Sequence, residues 1–140
     1  VNVVELIYSS RMTAPMSMAE IVVLLDKARS HNTREGLTGM LTFGSESFLQ
    51  AIEGPADAVN RLYARILRDP RHTRVMLLGY RPIPHRRFST WSMGFFAYGL
   101  DRSLARSGLP HDKFDPESMS LDQAVALLAD MATQMEFATA

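Results

Sequence analysis

The sequence predicts an α+β domain of the ferredoxin-like type. Its expected order is βαββαββ: a five-stranded mixed sheet, two helices on one face, and a C-terminal helical extension on the other. Three observations lead there. Short β-branched runs alternate with stretches that are apolar at helical spacing, capping and breaking residues separate them, and 140 residues of which 46% are hydrophobic suffice for one core.

Val3 to Tyr8 reads as the first strand, with Val4, Leu6 and Tyr8 on one face because strand side chains alternate. Ser17 and Glu20 form a capping box, each side chain answering a free amide at a helix start. Ile21, Leu24, Leu25 and Ala28 then make one apolar face, and the pattern stops near His31 and Asn32, ahead of Gly36. Leu37 to Phe43 and Phe48 to Glu53 are two strands joined by Gly44-Ser45-Glu46-Ser47.

Gly54-Pro55 is expected to break the third strand, and Pro55 suits the first turn of a second helix. That helix carries the stripe Val59, Leu62, Tyr63 and Ile66, has Arg65 and Arg68 near its negative end, and stops at Pro70. Thr73 to Tyr80 is the fourth strand and Trp91 to Ala97 the fifth. Pro82, Pro84, His85, Arg86 and Arg87 between them read as an exposed turn. Right-handed crossovers put both helices on the same face.

Residues 1–97 are thus expected as one domain and 98–140 as an extension. Asp101 to Ser107 reads as a short helical turn. Ser120 and Gln123 form a second capping box ahead of the stripe Leu121, Ala124, Val125, Leu128, Met131 and Met135, which suits the sheet's bare face.

Composition narrows the function classes. Fifteen Lys and Arg balance fifteen Asp and Glu, so the totals give nucleic-acid binding no electrostatic support. Without cysteine there is neither a disulfide framework nor a thiolate metal site. No apolar run approaches the roughly 20 residues that cross a bilayer, so a cytoplasmic protein without membrane contact is expected. His31 lacks a second ligand at metal-binding spacing and reads as a solvated helix-end residue, Glu35 and Glu53 form no acid–base pair, and Ser9 and Ser10 lack a nucleophile elbow. No enzymatic site is visible.

Two positions stand out. Gln50 shares a strand face with Phe48 and Ile52, so a primary amide lies among large apolar groups, where unmet donors and acceptors cost about 1–3 kcal/mol. Tyr8 brings a polar tip to the neighbouring strand, and the topology lets the two meet. A structural Tyr–Gln hydrogen bond alone accounts for that pattern, and Asn32 alone reads as a left-handed helix cap.

Five sequence blocks carry a more specific resemblance. They are Leu6-Ile7-Tyr8-Ser9-Ser10, Asn32 with Gly36-Leu37-Thr38-Gly39-Met40-Leu41, Phe48 through Pro55, Asp69-Pro70-Arg71-His72, and Phe88 through Phe95. In this order they resemble the BLUF family, sensors of blue light using flavin, over roughly Val3 to Phe96. The resemblance implies a non-covalent flavin, FAD before FMN or riboflavin, with its ring between the two helices.

Tyr8 then matches the tyrosine that gives an electron and proton to the excited flavin. Gln50 matches the glutamine bridging that tyrosine to the flavin, and Asn32 the residue at the pyrimidine edge. Asp69 and Arg71 match positions near the polar edge and ribityl chain, with His31 and His72 as further contributors. Trp91 and Met93 match a fifth-strand pair linked to signalling. The remaining length leaves no room for a cyclase, phosphodiesterase or DNA-binding domain. A short stand-alone photoreceptor is therefore expected, acting on an unidentified protein partner, with a homodimer as a further option. The alternative is a ferredoxin-like module that binds a small ligand without photochemistry.

Overall fold

A computed structural model of the chain describes residues 3–44, 46–89, 93–97 and 114–139. Strand β1 (Val3–Met12) lies inside the sheet, antiparallel on one side to β3 (Ser47–Pro55) and on the other to β4 (His72–Ile83). Strand β2 (Thr38–Gly44) pairs antiparallel with β3, and β5 (Gly94–Ala97) adds to β2 in parallel, giving the order β4-β1-β3-β2-β5. This is the expected ferredoxin-like sheet with an added edge strand.

Helix α1 (Met18–Glu35) starts with the expected box: the Glu20 amide donates to Ser17 Oγ, and the Glu20 carboxylate accepts from the Ser17 amide. Helix α2 (Ala56–Arg68) follows Pro55, which occupies the N-cap rather than the first turn. Both lie on one sheet face. Val59, Leu62, Tyr63 and Ile66 of α2 pack on Val4, Leu6 and Ile52, while Ile21 and Leu25 of α1 pack on Leu41, Phe48 and Met93. After a 3₁₀ turn at Pro116–Ser118, α3 (Leu121–Thr139) opens with the Ser120–Gln123 box. It covers the opposite face: Ala124, Leu127, Leu128 and Met131 pack on Ile7, Met40, Leu49 and Ala51.

Four readings are corrected. Asn32 is not the left-handed cap; it lies within the last turn of α1, and Gly36 takes the positive φ of 72° while its amide donates to the Asn32 carbonyl. Gly54 does not end β3, because its φ of 155° keeps the chain paired through Pro55 with Val3. β4 runs past Tyr80 to Ile83, with Pro82 tolerated on an edge strand. Its continuation is no free turn: Arg86 donates to the Gly36 carbonyl, Arg87 to Glu5, and Phe88 is buried. The turn expected at Asp101 to Ser107, and Trp91, lie outside the described residues.

Candidate functional site

The register decides the site. Tyr8 and Gln50 are direct partners across β1 and β3, and Leu41 faces Gln50 from β2. All three side chains point toward the helices. The Tyr8 hydroxyl donates to Gln50 Oε1, and both residues are buried. Burial, then the charges of Tyr63 and Asp69, hold the phenol's pKa far above its ordinary range. Tyr8 is therefore kept as a protonated donor. Tyr63 tilts against the Tyr8 ring with centroids 5.9 Å apart, and its own pKa is raised by burial.

Above this pair, between α1 and α2, lies a cavity of about 270 Å³. Tyr8, Gln50, Asn32, His31, Asp69, Arg71, His72 and Met93 all line it, so every described residue singled out in the sequence meets here. Leu24, Leu25 and Ala28 on α1 and Leu62 and Ile66 on α2 give it apolar walls as well.

Hydrogen bonds orient the histidines and the Asp69–Arg71 pair in the lining. His72 Nε2 donates to the Ile66 carbonyl at 2.8 Å, because a carbonyl only accepts, so Nδ1 is left to accept from Ser10 Oγ at 2.8 Å. The ring stands edge-on to both Tyr8 and Phe48. Arg65 donates to His31 Nε2 at 2.6 Å, so His31 Nδ1 donates to Asn32 Oδ1 at 3.3 Å. His31 is thus a partly buried orienter rather than a solvated end residue. Asp69 receives the Arg71 guanidinium through Nε at 3.0 Å, and that hydrogen bonding holds its carboxyl pKa below the usual range.

Arg65 and Lys27 also line the cavity and were missed as site residues. From the sequence, Arg65 reads only against the helix dipole. Its spacing to Leu62 and Asp69, three and four residues, places it on the cavity face, a signal that helical periodicity already carried.

The donor set fits a flat, polar-edged ring system. Gln50 Nε2 donates to Met93 Sδ at 3.4 Å. An amide has two N–H groups and a thioether is a weak acceptor, so Gln50 retains donor capacity toward the cavity. Apolar walls suit the faces of such a ring, and the amides of Asn32 and Gln50 suit its edge.

Fold and site together define a ferredoxin-like domain with a cavity between its helices and a phenol–amide pair on the cavity floor. The model of the BLUF family, described as sensors of blue light using FAD, matches residues 3–94. The chain belongs to that family. It is 38% identical over 89 residues to the photoactivated adenylate cyclase subunit beta of Euglena gracilis, covering 63% of this chain and 10% of that protein. With the blue light- and temperature-regulated antirepressor BluF of Escherichia coli K12 it shares 33% identity over 91 residues, 65% of this chain and 23% of the other. The chain therefore spans only a small part of these relatives.

Among solved structures, the BLUF protein BlrB in its dark state superposes with a TM-score of 0.80 at 33% identity, over 95% of this chain and 97% of that one. Klebsiella pneumoniae BlrP1 with FMN and cyclic diGMP gives a TM-score of 0.67 at 31% identity, over 71% and 27%. The matched domain is a flavin-binding blue-light sensor. No described helix is long and apolar enough to cross a membrane.

Proposed function

We propose that this chain senses blue light through Tyr8 and Gln50. In this reading Asn32, His31, Asp69, Arg71 and His72 hold the flavin, and Met93 and Trp91 pass the change to the sheet. The observation that carries the reading is the buried Tyr8–Gln50 hydrogen bond on the floor of a cavity where hydrogen bonds hold His31, Asp69, Arg71 and His72.

A bound isoalloxazine supplies a visible-light absorber that becomes a strong one-electron oxidant when excited. The protein supplies the rest. Tyr8 is an oxidisable phenol whose proton already lies on a hydrogen bond to Gln50. Loss of an electron turns the phenol into a strong acid, so its proton leaves along the hydrogen bond to Gln50 Oε1, and the Gln50 amide would relay it to the bound flavin that took the electron. The Gln50 amide carries a donor and an acceptor at opposite corners. A half-turn or a tautomeric change exchanges them without moving β3, which alters the hydrogen bond offered to the cavity. Signalling follows only if the two amide states favour different protein conformations.

FAD is the flavin we assign, following the family description; FMN and riboflavin share the ring that these residues address. The cyclase and antirepressor relatives support an output carried to another protein, with the segment after residue 97 as the output element. A homodimer is a second form in which that output can be read. The test is the Gln50→Leu variant, which removes both amide functions. The reading predicts that it still binds flavin and loses the light-induced red shift; a normal shift in that variant contradicts it.

A further inference from the structure

Arg29 belongs to no part of the cavity lining, yet it reaches the switch. Ile21, Leu25, Arg29 and Asn32 follow one another at spacings of four, four and three, so they share the buried face of α1. From that face Arg29 Nε donates to the main-chain carbonyl of Met93 at 3.0 Å, across to the start of β5. Met93 is itself buried, with its sulfur 3.4 Å from Gln50 Nε2. Its methyl group lies over Gly39, where a Cβ would stand 3.1 Å from Met93 Cε and 2.2 Å from the Ala51 carbonyl oxygen. Met93 is therefore held at three points: sulfur, methyl and main-chain carbonyl.

We propose that Arg29 is a positioning residue of the photocycle, holding Met93 against the Gln50 amide and thereby setting how fast the lit state decays. This rests on the photoreceptor reading above and adds its regulation. The argument is one of lone pairs. With Nε2 toward Met93, the thioether receives a donor. Once the amide is exchanged, an oxygen faces the sulfur, and two acceptors oppose each other. The lit arrangement then favours Met93 moving off, while the charge-assisted bond from Arg29 holds its main chain in place. Arg29 thus disfavours the lit state and speeds the return.

The test compares the flavin-loaded protein with Arg29→Met, which keeps the aliphatic stem and loses the donor, and with Arg29→Lys, which keeps one. Arg29→Met is expected to bind flavin and shift normally but recover in the dark about three- to tenfold more slowly, the equivalent of the net contribution of one ordinary hydrogen bond. Arg29→Lys restores most of the rate. In a Met93→Leu background the Arg29→Met change has no further effect, as coupling between the two residues requires. Arg29→Leu, which also lacks a donor, repeats the comparison should Arg29→Met not fold.

Unchanged or faster recovery in Arg29→Met, or an equal effect in the Met93→Leu background, overturns the proposal. A second readout needs no photochemistry: the methyl resonance of isotope-labelled Met93 in the dark protein, assigned by its loss in Met93→Leu. It should move in Arg29→Met and return in Arg29→Lys. If the wild type shows no light response and this resonance still behaves so, the photoreceptor reading fails while the Arg29–Met93 tie stands. An unmoved resonance removes the tie itself.

Discussion

Glu5 and Glu53 are direct cross-strand partners on β1 and β3, both only 1% exposed, on the face of the sheet away from the cavity. Like charges directly opposite are destabilising, so each must have its own donors. Glu5 takes the guanidinium groups of Arg81 at 3.1 Å and Arg87 at 2.9 Å. Glu53 accepts from Thr38 Oγ1 at 2.8 Å and from the amides of Arg87 at 2.9 Å and Phe88 at 2.7 Å. The two carboxylates therefore clasp the connection between β4 and β5 against the sheet, three residues from Gln50.

Removing one arginine leaves Glu5 a second partner; removing both leaves a buried carboxylate with neither. Arg81→Met and Arg87→Met should each cost about 1 kcal/mol, and the double variant should exceed the sum by about 1 kcal/mol or more. Urea unfolding of the four proteins measures this. Simple additivity would show that the arginines act independently of Glu5.

The stability of the sheet's far face depends on α3. Leu128 is fully buried against the sheet cluster that includes Ile7 and Leu49. Leu128→Ala should destabilise the protein by about 2–4 kcal/mol, the range for deleting a buried leucine side chain. Unfolding free energy unchanged within error would mean that α3 does not dock on this face.

Asp69 gives a pH signature. Its carboxyl pKa is lowered in the folded protein, first by hydrogen bonding to Arg71. A depressed pKa means the folded state binds fewer protons, so the contribution is full above the unfolded value of about 3.9 and is lost as pH falls through the folded value. Asp69→Asn should thus lower the denaturant midpoint by a constant amount above about pH 5, with the gap closing below about pH 4. A gap independent of pH would leave the carboxylate's charge without a role.

Tyr8 gives the opposite limb. Its pKa is raised, first by burial, so the folded state holds its proton more tightly than the unfolded chain. That stability is complete below the unfolded value of about 10 and falls as pH rises beyond it. Tyr8→Phe, which has no proton to lose, should reduce the alkaline loss of stability. An identical alkaline limb in both proteins would contradict the burial argument.

Much of this was legible in the sequence because it is local. Strand alternation put Tyr8 with Leu6 and Gln50 with Ile52, and the topology made their strands neighbours; the register then brought the two together. Both capping boxes were readable because they depend on residues three apart. What escaped was non-local. Arg86 and Arg87 follow prolines and look solvated, yet their partners are Gly36, Thr38 and Glu5, far away in sequence. Glu5 and Glu53 gave no sign of burial because the groups that meet them, Arg81, Arg87 and the Phe88 amide, come from much later in the chain. Asn32 is the exception, because Gly36, four residues on, carried the stronger local signal for the left-handed conformation that it takes.

The central claim is that the Tyr8 hydroxyl, through Gln50, makes the light response. Absorption spectra of flavin-loaded wild type and Tyr8→Phe, before and after blue light, test it most directly. Wild type should shift to the red and revert in the dark, while Tyr8→Phe should keep its flavin and show no shift. A full, reversible shift in Tyr8→Phe, or a wild type that does not respond to light, would contradict the account.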